Sequence, residues 1–188
     1  MNENRDRVHS EGEDSQEYAK FIIELLKAEA ASNSDIKVIY PILKQRQHLL
    51  NARFAETLQQ VAQILIAEHP EAIESIVALI ETLSIHIKNF PLGSRANNIE
   101  IALTGYKIFL NDRQPGTEMF AQTQNNLANA YGDRINGSRA ENLERAIEFY
   151  QAALTVYTLE DFPEKWAMTQ NNLAAAYRKQ NLVLITIL

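Results

Sequence analysis

The nine residues TQNNLANAY at 123–131 return as TQNNLAAAY at 169–177, and GSRANNIEIALTGY at 93–106 returns as GSRAENLERAIEFY at 137–150. An offset of 46 separates Thr123 from Thr169, and 44 separates Gly93 from Gly137. A period near 45 residues is the length of a helix pair in a stacked array, where no unit can bury its apolar face alone. The spacing within the unit agrees. Leu127, Ala128 and Tyr131 recur at helical intervals, as do Ala146, Tyr150 and Ala153. Carried backward, the second register lays TLSIHI at 82–87 opposite NLANAY at 126–131, which gives three first helices and two second helices.

Upstream of the repeats the pattern is also helical. DSQEYAKFIIELLKAEAA places Tyr18, Phe21, Ile22, Leu25, Leu26 and Ala28 along one helix face, with Asp14 and Glu17 spaced as a capping box. SNSD breaks that helix, and Asp35 is placed to cap IKVIYPILKQRQHLL, in which Pro41 either sits in a first turn or interrupts the helix. ARFAETLQQVAQILIAE and AIESIVALIETLSIHIKNF follow as longer helices separated by HPE.

Composition removes several classes of function. The chain has no Cys, so disulfides, thiolate metal sites and cysteine nucleophiles are absent. Its formal net charge of −6, without a basic stripe, argues against nucleic-acid binding. The opening MNENRDRVHSEGEDSQE lacks the apolar run of a targeting peptide, and no stretch approaches the length of a membrane span. A cytoplasmic location is the expectation. The four His, at 9, 48, 69 and 86, have no metal-site spacing, and neither a glycine-rich phosphate loop nor a GxSxG elbow occurs. Glu160, Asp161 and Glu164 cluster near DFPEK, where carboxylates favour a helix start without catalytic duty. No enzyme, cofactor or metal is expected.

The intervals Leu127-Ala128-Tyr131 and Ala146-Tyr150-Ala153 resemble the tetratricopeptide repeat, lengthened by GDRINGSRAEN between its helices and YTLEDFPEK after them. NNLA on the first helix is similar to the kinesin light-chain class. FPEKWAMTQNNLA and GSRAENLERAIEFYQAALTVYT resemble arrays of cyanobacterial proteins that often end in a caspase-like CHAT domain. That domain needs a His and a Cys, and this chain has no Cys. The resemblance implies a right-handed all-α solenoid whose first helices line a concave wall, and a protein or peptide partner there. One candidate partner is a CHAT-type effector encoded elsewhere.

On that wall Gln122, Asn125 and Asn129, at i, i+3 and i+7, form a polar stripe, with Asn171 matching Asn125 one repeat on. An amide both donates and accepts, which suits the alternating N–H and C=O groups of an extended peptide. These four residues are the expected peptide-binding set. Met168 in place of Gln122, Ala175 in place of Asn129, and Glu81 and Ile85 in the earliest unit shorten the ladder. Asn126 and Asn172 are expected to satisfy neighbouring backbone groups, and Trp166 and Phe120 to pack between repeats. In GSRAEN, Gly137 turns the chain, Ser138 caps the second helix with Glu141 completing the box, and Asn98 and Asn142 tie down the connection.

The expected organisation is a disordered segment at 1–13, a helical cap at 14–75, repeats at 76–180 and an apolar tail at 181–188. NLVLITIL stands where a further connection and second helix would be expected. Either the tail folds back on the last helix, or an open repeat face supports an alternative role, self-association into an assembly.

Overall fold

The computed structural model describes the backbone of residues 2–108, 110 and 114–187, with side chains from residue 15 onward except 184, 186 and 187. Every regular element among these residues is helical, and the chain is an all-α, helical-repeat protein as the repeats predict. Contacts gather it into two units, Met1–Gly105 and Tyr106–Leu188.

The first unit contains α1 (Asn2–Ser32), α2 (Ile36–Gln45), α3 (Ala52–Glu68), α4 (Ile73–Asn89) and most of α5 (Arg95–Lys107). Helix α1 packs against α2, α3 and α4. Its apolar stripe, with Phe21, Ile22 and Leu25, is fully buried along with Phe54 and Leu58 of α3 and Ile80 and Leu83 of α4. Phe21 meets Phe54 edge to face at 5.8 Å. The backbone is helical from Asn2, so the Asp14–Glu17 pair lies inside α1 and not at its start.

The SNSD break is a turn through Asn33 and Ser34, both at positive φ, after which Asp35 Oδ1 accepts from the Lys37 amide at 2.9 Å. Helix α2 continues through Pro41, which settles the open alternative in favour of an interior proline. Asn51 caps α3 by accepting from the Arg53 and Phe54 amides, and its Nδ2 donates to the Tyr18 hydroxyl at 2.8 Å, joining α3 to α1. Between α1 and α4, Glu29 is fully buried with Oε1 2.7 Å from His86 Nδ1, while Oε2 has no hydrogen-bond partner.

The α4–α5 pair shows why GSRANN is needed. Gly93 takes φ +77°, Ser94 Oγ accepts from the Asn97 amide at 3.3 Å, and Arg95 reaches back to the Lys88 carbonyl. Asn98 is fully buried and donates to the carbonyls of Phe90 and Leu92. The side chain therefore satisfies carbonyls left open by the end of α4 and its loop.

The second unit contains α6 (Glu118–Asp133), α7 (Arg139–Leu154) and α8 (Pro163–Ile187), with α7 packed against both α6 and α8. GSRAEN repeats much of the local solution: Gly137 has φ +78°, Ser138 Oγ accepts from the Glu141 amide at 3.4 Å, Arg139 donates to the Gly132 carbonyl, and Asn142 donates to the Asn136 carbonyl while its Oδ1 accepts from Arg134. Thr117 caps α6. Ala121, Ala153 and Tyr157 form a buried cluster against which Phe162 and Trp166 pack. Residues 181–187 continue α8 and do not fold back on it.

Candidate protein-binding cleft

Helix α6 buries Ala121, Asn125 and Ala128, spaced i, i+4 and i+7, on one side. Asn125 thus belongs to the packed face. It is 7% exposed, and its Oδ1 accepts from the Thr169 hydroxyl of α8 at 3.4 Å. Asn171, its counterpart one repeat on, is exposed because among the described residues no further helix lies over that side of α8. The two do not form one open amide ladder, which corrects the expected set. The cause is a slip of one position: i+3 and i+4 both continue a helical stripe, and packing against α8 takes Asn125.

The stripe left open runs through Gln122, Asn126, Asn129 and Asp133, at i, i+4, i+7 and i+11. Its counterpart on α8 is Met168, Asn172, Ala175 and Lys179. Gln122 is exposed and Asn129 half-buried, so these two expected residues remain on the accessible side. Between the stripes lies a cleft of about 140 Å³ lined by Asn129, Asp133, Tyr150, Asn172, Ala175 and Lys179.

The cleft is organised from α7 upward. Tyr150, 4% exposed, donates its hydroxyl to Asn129 Oδ1 at 2.7 Å, and Asn172 Nδ2 donates to the same oxygen at 3.4 Å. With its oxygen engaged twice, Asn129 keeps its Nδ2 as the group free to donate. Asn126 Nδ2 is buried and has no partner. Burial, and secondarily the negative charge of Asp133, hold the Tyr150 phenol well above its usual pKa, so it stays a neutral donor. Asp133 and Lys179 put opposite charges in the lining. Outside the cleft, Lys165 of α8 pairs with Glu118 of α6, holding the two first helices together at their starts.

Contrary to the expectation that Asn126 and Asn172 satisfy neighbouring backbone groups, Asn172 bonds the Asn129 side chain and Asn126 Nδ2 bonds nothing. Their repetition at the interval of 46 was the available signal. Gln124, which takes a position where the repeat prefers a large apolar side chain, is buried with Oε1 unpartnered. No physical account of that choice emerges.

Neutral amides, one buried phenol and a single pair of opposite charges provide hydrogen bonds and shape, and no nucleophile–base pair. Among the described residues, no group of three or more His, Cys, Asp or Glu is placed to hold a metal, and no helix is long and apolar enough to cross a membrane. Neither a curated protein nor a solved structure matches the chain. Residues 120–163, covering nearly all of α6, the whole of α7 and the connection to α8, match the family model of the tetratricopeptide repeat, and the chain carries a repeat of that kind there.

Proposed function

We propose that this protein is a noncatalytic binding module that holds an extended segment of a protein partner in the cleft between α6 and α8. Tetratricopeptide repeats generally mediate protein–protein interaction. The observation that carries the specific reading is the open pair of stripes with Asn129 held by Tyr150 and Asn172 on its floor. Fixing the amide before a ligand arrives lowers the ordering cost of binding. Each amide contact contributes about 0.5–1.5 kcal/mol net, so the grip is sequence-tolerant and weak unless side-chain pockets add to it. The resemblance to CHAT-associated arrays supports a CHAT-type effector on another chain as the partner, and the absence of cysteine suits a reducing, cytoplasmic setting. Leu182 and Ile185 of α8, 64% and 70% exposed, support a second contact surface, for which self-association is the alternative role.

The test is selection of extended peptides from a displayed library on the full chain, followed by affinity measurement on Asn172→Ala plus Lys179→Ala, both of which line the cleft. The expected loss is about tenfold for the pair, from roughly 0.7 kcal/mol each, with an unchanged melting temperature. Failure to select any peptide, or equal binding by the variant, refutes the cleft.

A further inference from the structure

Asn136 precedes Gly137 in the connection between α6 and α7, and it is the one Asn of the chain followed by Gly. Both residues are exposed. In the α4–α5 connection, 44 positions earlier, Leu92 precedes Gly93. Gly93 and Gly137 take nearly the same φ, +77° and +78°, so the turn does not require an amide side chain ahead of its glycine.

Two hydrogen bonds and a nearby charge act on the Asn136–Gly137 peptide. Asn142 Nδ2 donates to the Asn136 carbonyl at 2.8 Å, and Arg134 Nη1 donates to Asn142 Oδ1 at 3.3 Å. The guanidinium thus pulls on that carbonyl through the amide, and hydrogen bonds in such a chain polarise one another. Charge drawn into the carbonyl stabilises the anion formed when the Gly137 N–H ionises. Arg134 Nη1 also lies 3.8 Å from the place a β-carbon on Gly137 would take, which sets a positive charge beside the same nitrogen. Among the described residues, neither the Gly137 amide nor the Asn136 side chain has a hydrogen-bond partner that would hold it in place. The α4–α5 connection lacks this relay. Asn98 donates to the Leu92 carbonyl at 3.1 Å, but its Oδ1 has no partner, and Phe90 stands where Arg134 would be.

We propose that Asn136 is a self-modification site, at which attack by the Gly137 amide, promoted by the Arg134–Asn142 relay, converts the side-chain amide to a carboxylate. The Gly137 nitrogen passes its proton to hydroxide and bonds to Asn136 Cγ. The Cγ–Nδ2 bond then breaks, and the leaving nitrogen takes a proton from water and departs as ammonia. Water opens the resulting five-membered succinimide. Opening at Cγ gives Asp, whereas opening at the main-chain carbonyl gives isoaspartate, in which the chain runs through the side chain and is one methylene longer. In isoaspartate the group that accepted from Asn142 is a carboxylate off the main chain, so Gly137 and Ser138 lose their register at the start of α7. None of these groups lines the cleft, and the site does not depend on the protein-binding reading.

The test incubates the full chain at neutral and mildly alkaline pH, with timed samples digested by trypsin, whose fragment Ile135–Arg139 carries the site. Mass spectrometry follows the exchange of NH2 for OH, and chromatography separates Asp from isoaspartate. Asn136 should convert at least about tenfold faster than any other Asn of the chain, at a rate that rises with pH, with isoaspartate among the products. Because the relay exists only in the folded state, the folded chain should convert at least as fast as the same chain in guanidinium chloride. Arg134→Leu should slow the folded chain about threefold or more. Melting temperature should fall as the parent ages and hold steady in Asn136→Leu, which copies the residue at 92. No conversion at Asn136, or slower conversion folded than denatured, overturns the proposal. So does an Arg134→Leu variant as fast as the parent, or an equal fall of melting temperature in Asn136→Leu.

Discussion

Replacing Gly105 by Ala sets two effects of opposite sign against each other. Gly105 lies inside α5, where helix propensity alone predicts a gain of about 1 kcal/mol for Ala. The structure predicts a loss. A β-carbon at Gly105 would fall 1.9 Å from Ser84 Oγ and 3.1 Å from Ser84 Cβ on α4. Ser84 is fully buried, and its hydroxyl donates to the Ile80 carbonyl at 2.6 Å. To admit the methyl group, either that hydroxyl abandons its bond, at about 1 kcal/mol, or the helices separate, with overpacking costs of about 1–3 kcal/mol. The propensity gain is thereby cancelled or exceeded, with a net destabilisation of up to about 2 kcal/mol. Ser84→Ala removes the closest atom and leaves a tight contact that a small shift relieves. The double variant should therefore recover most of the loss, with a coupling of at least about 1 kcal/mol in a double-mutant cycle. Urea denaturation followed by circular dichroism measures this as a change of midpoint at constant slope. A Gly105→Ala single variant more stable than the parent, or additivity of the two changes, would refute close approach of α4 and α5 as the reason for glycine.

Ser138→Ala should cost about 1 kcal/mol, because the hydroxyl accepts from the Glu141 amide at the start of α7; a midpoint shift below about 0.3 kcal/mol would show that the cap is idle. His86→Ala removes the one hydrogen-bond partner of the fully buried Glu29 carboxyl and should cost about 2 kcal/mol or more, while Glu29→Gln, which keeps a polar group against the imidazole, should cost less. Equal losses for the two would mean that packing, not the hydrogen bond, dominates there. Because the folded-state pKa of Tyr150 is raised, the unfolded chain loses that proton first as pH rises above about 10. The folded state then holds the extra proton, so stability declines with rising pH over that range. Tyr150→Phe should make the alkaline decline of melting temperature shallower, and an unchanged slope would contradict a buried neutral phenol.

Much of the fold was legible in the sequence because its causes are local. Asp35, Asn51, Ser94 and Ser138 mark helix starts through bonds spanning two or three residues, and Gly93 and Gly137 mark turns that need positive φ. The repeat interval added the count of first and second helices. The site was only half legible, since Gln122 and Asn129 lie on the open stripe but Asn125 does not.

The sequence by itself determined that this chain is helical, where most helices stop, and that one helix pair recurs, because capping, turn geometry and apolar periodicity act between near neighbours. Tertiary structure alone decided that Asn125 goes under Thr169 while Gln122 and Asn129 stay on the accessible side, and that Gly105 must admit Ser84. Residues three and four apart are nearly equivalent on an isolated helix, and only the helix packed against one of them breaks the tie.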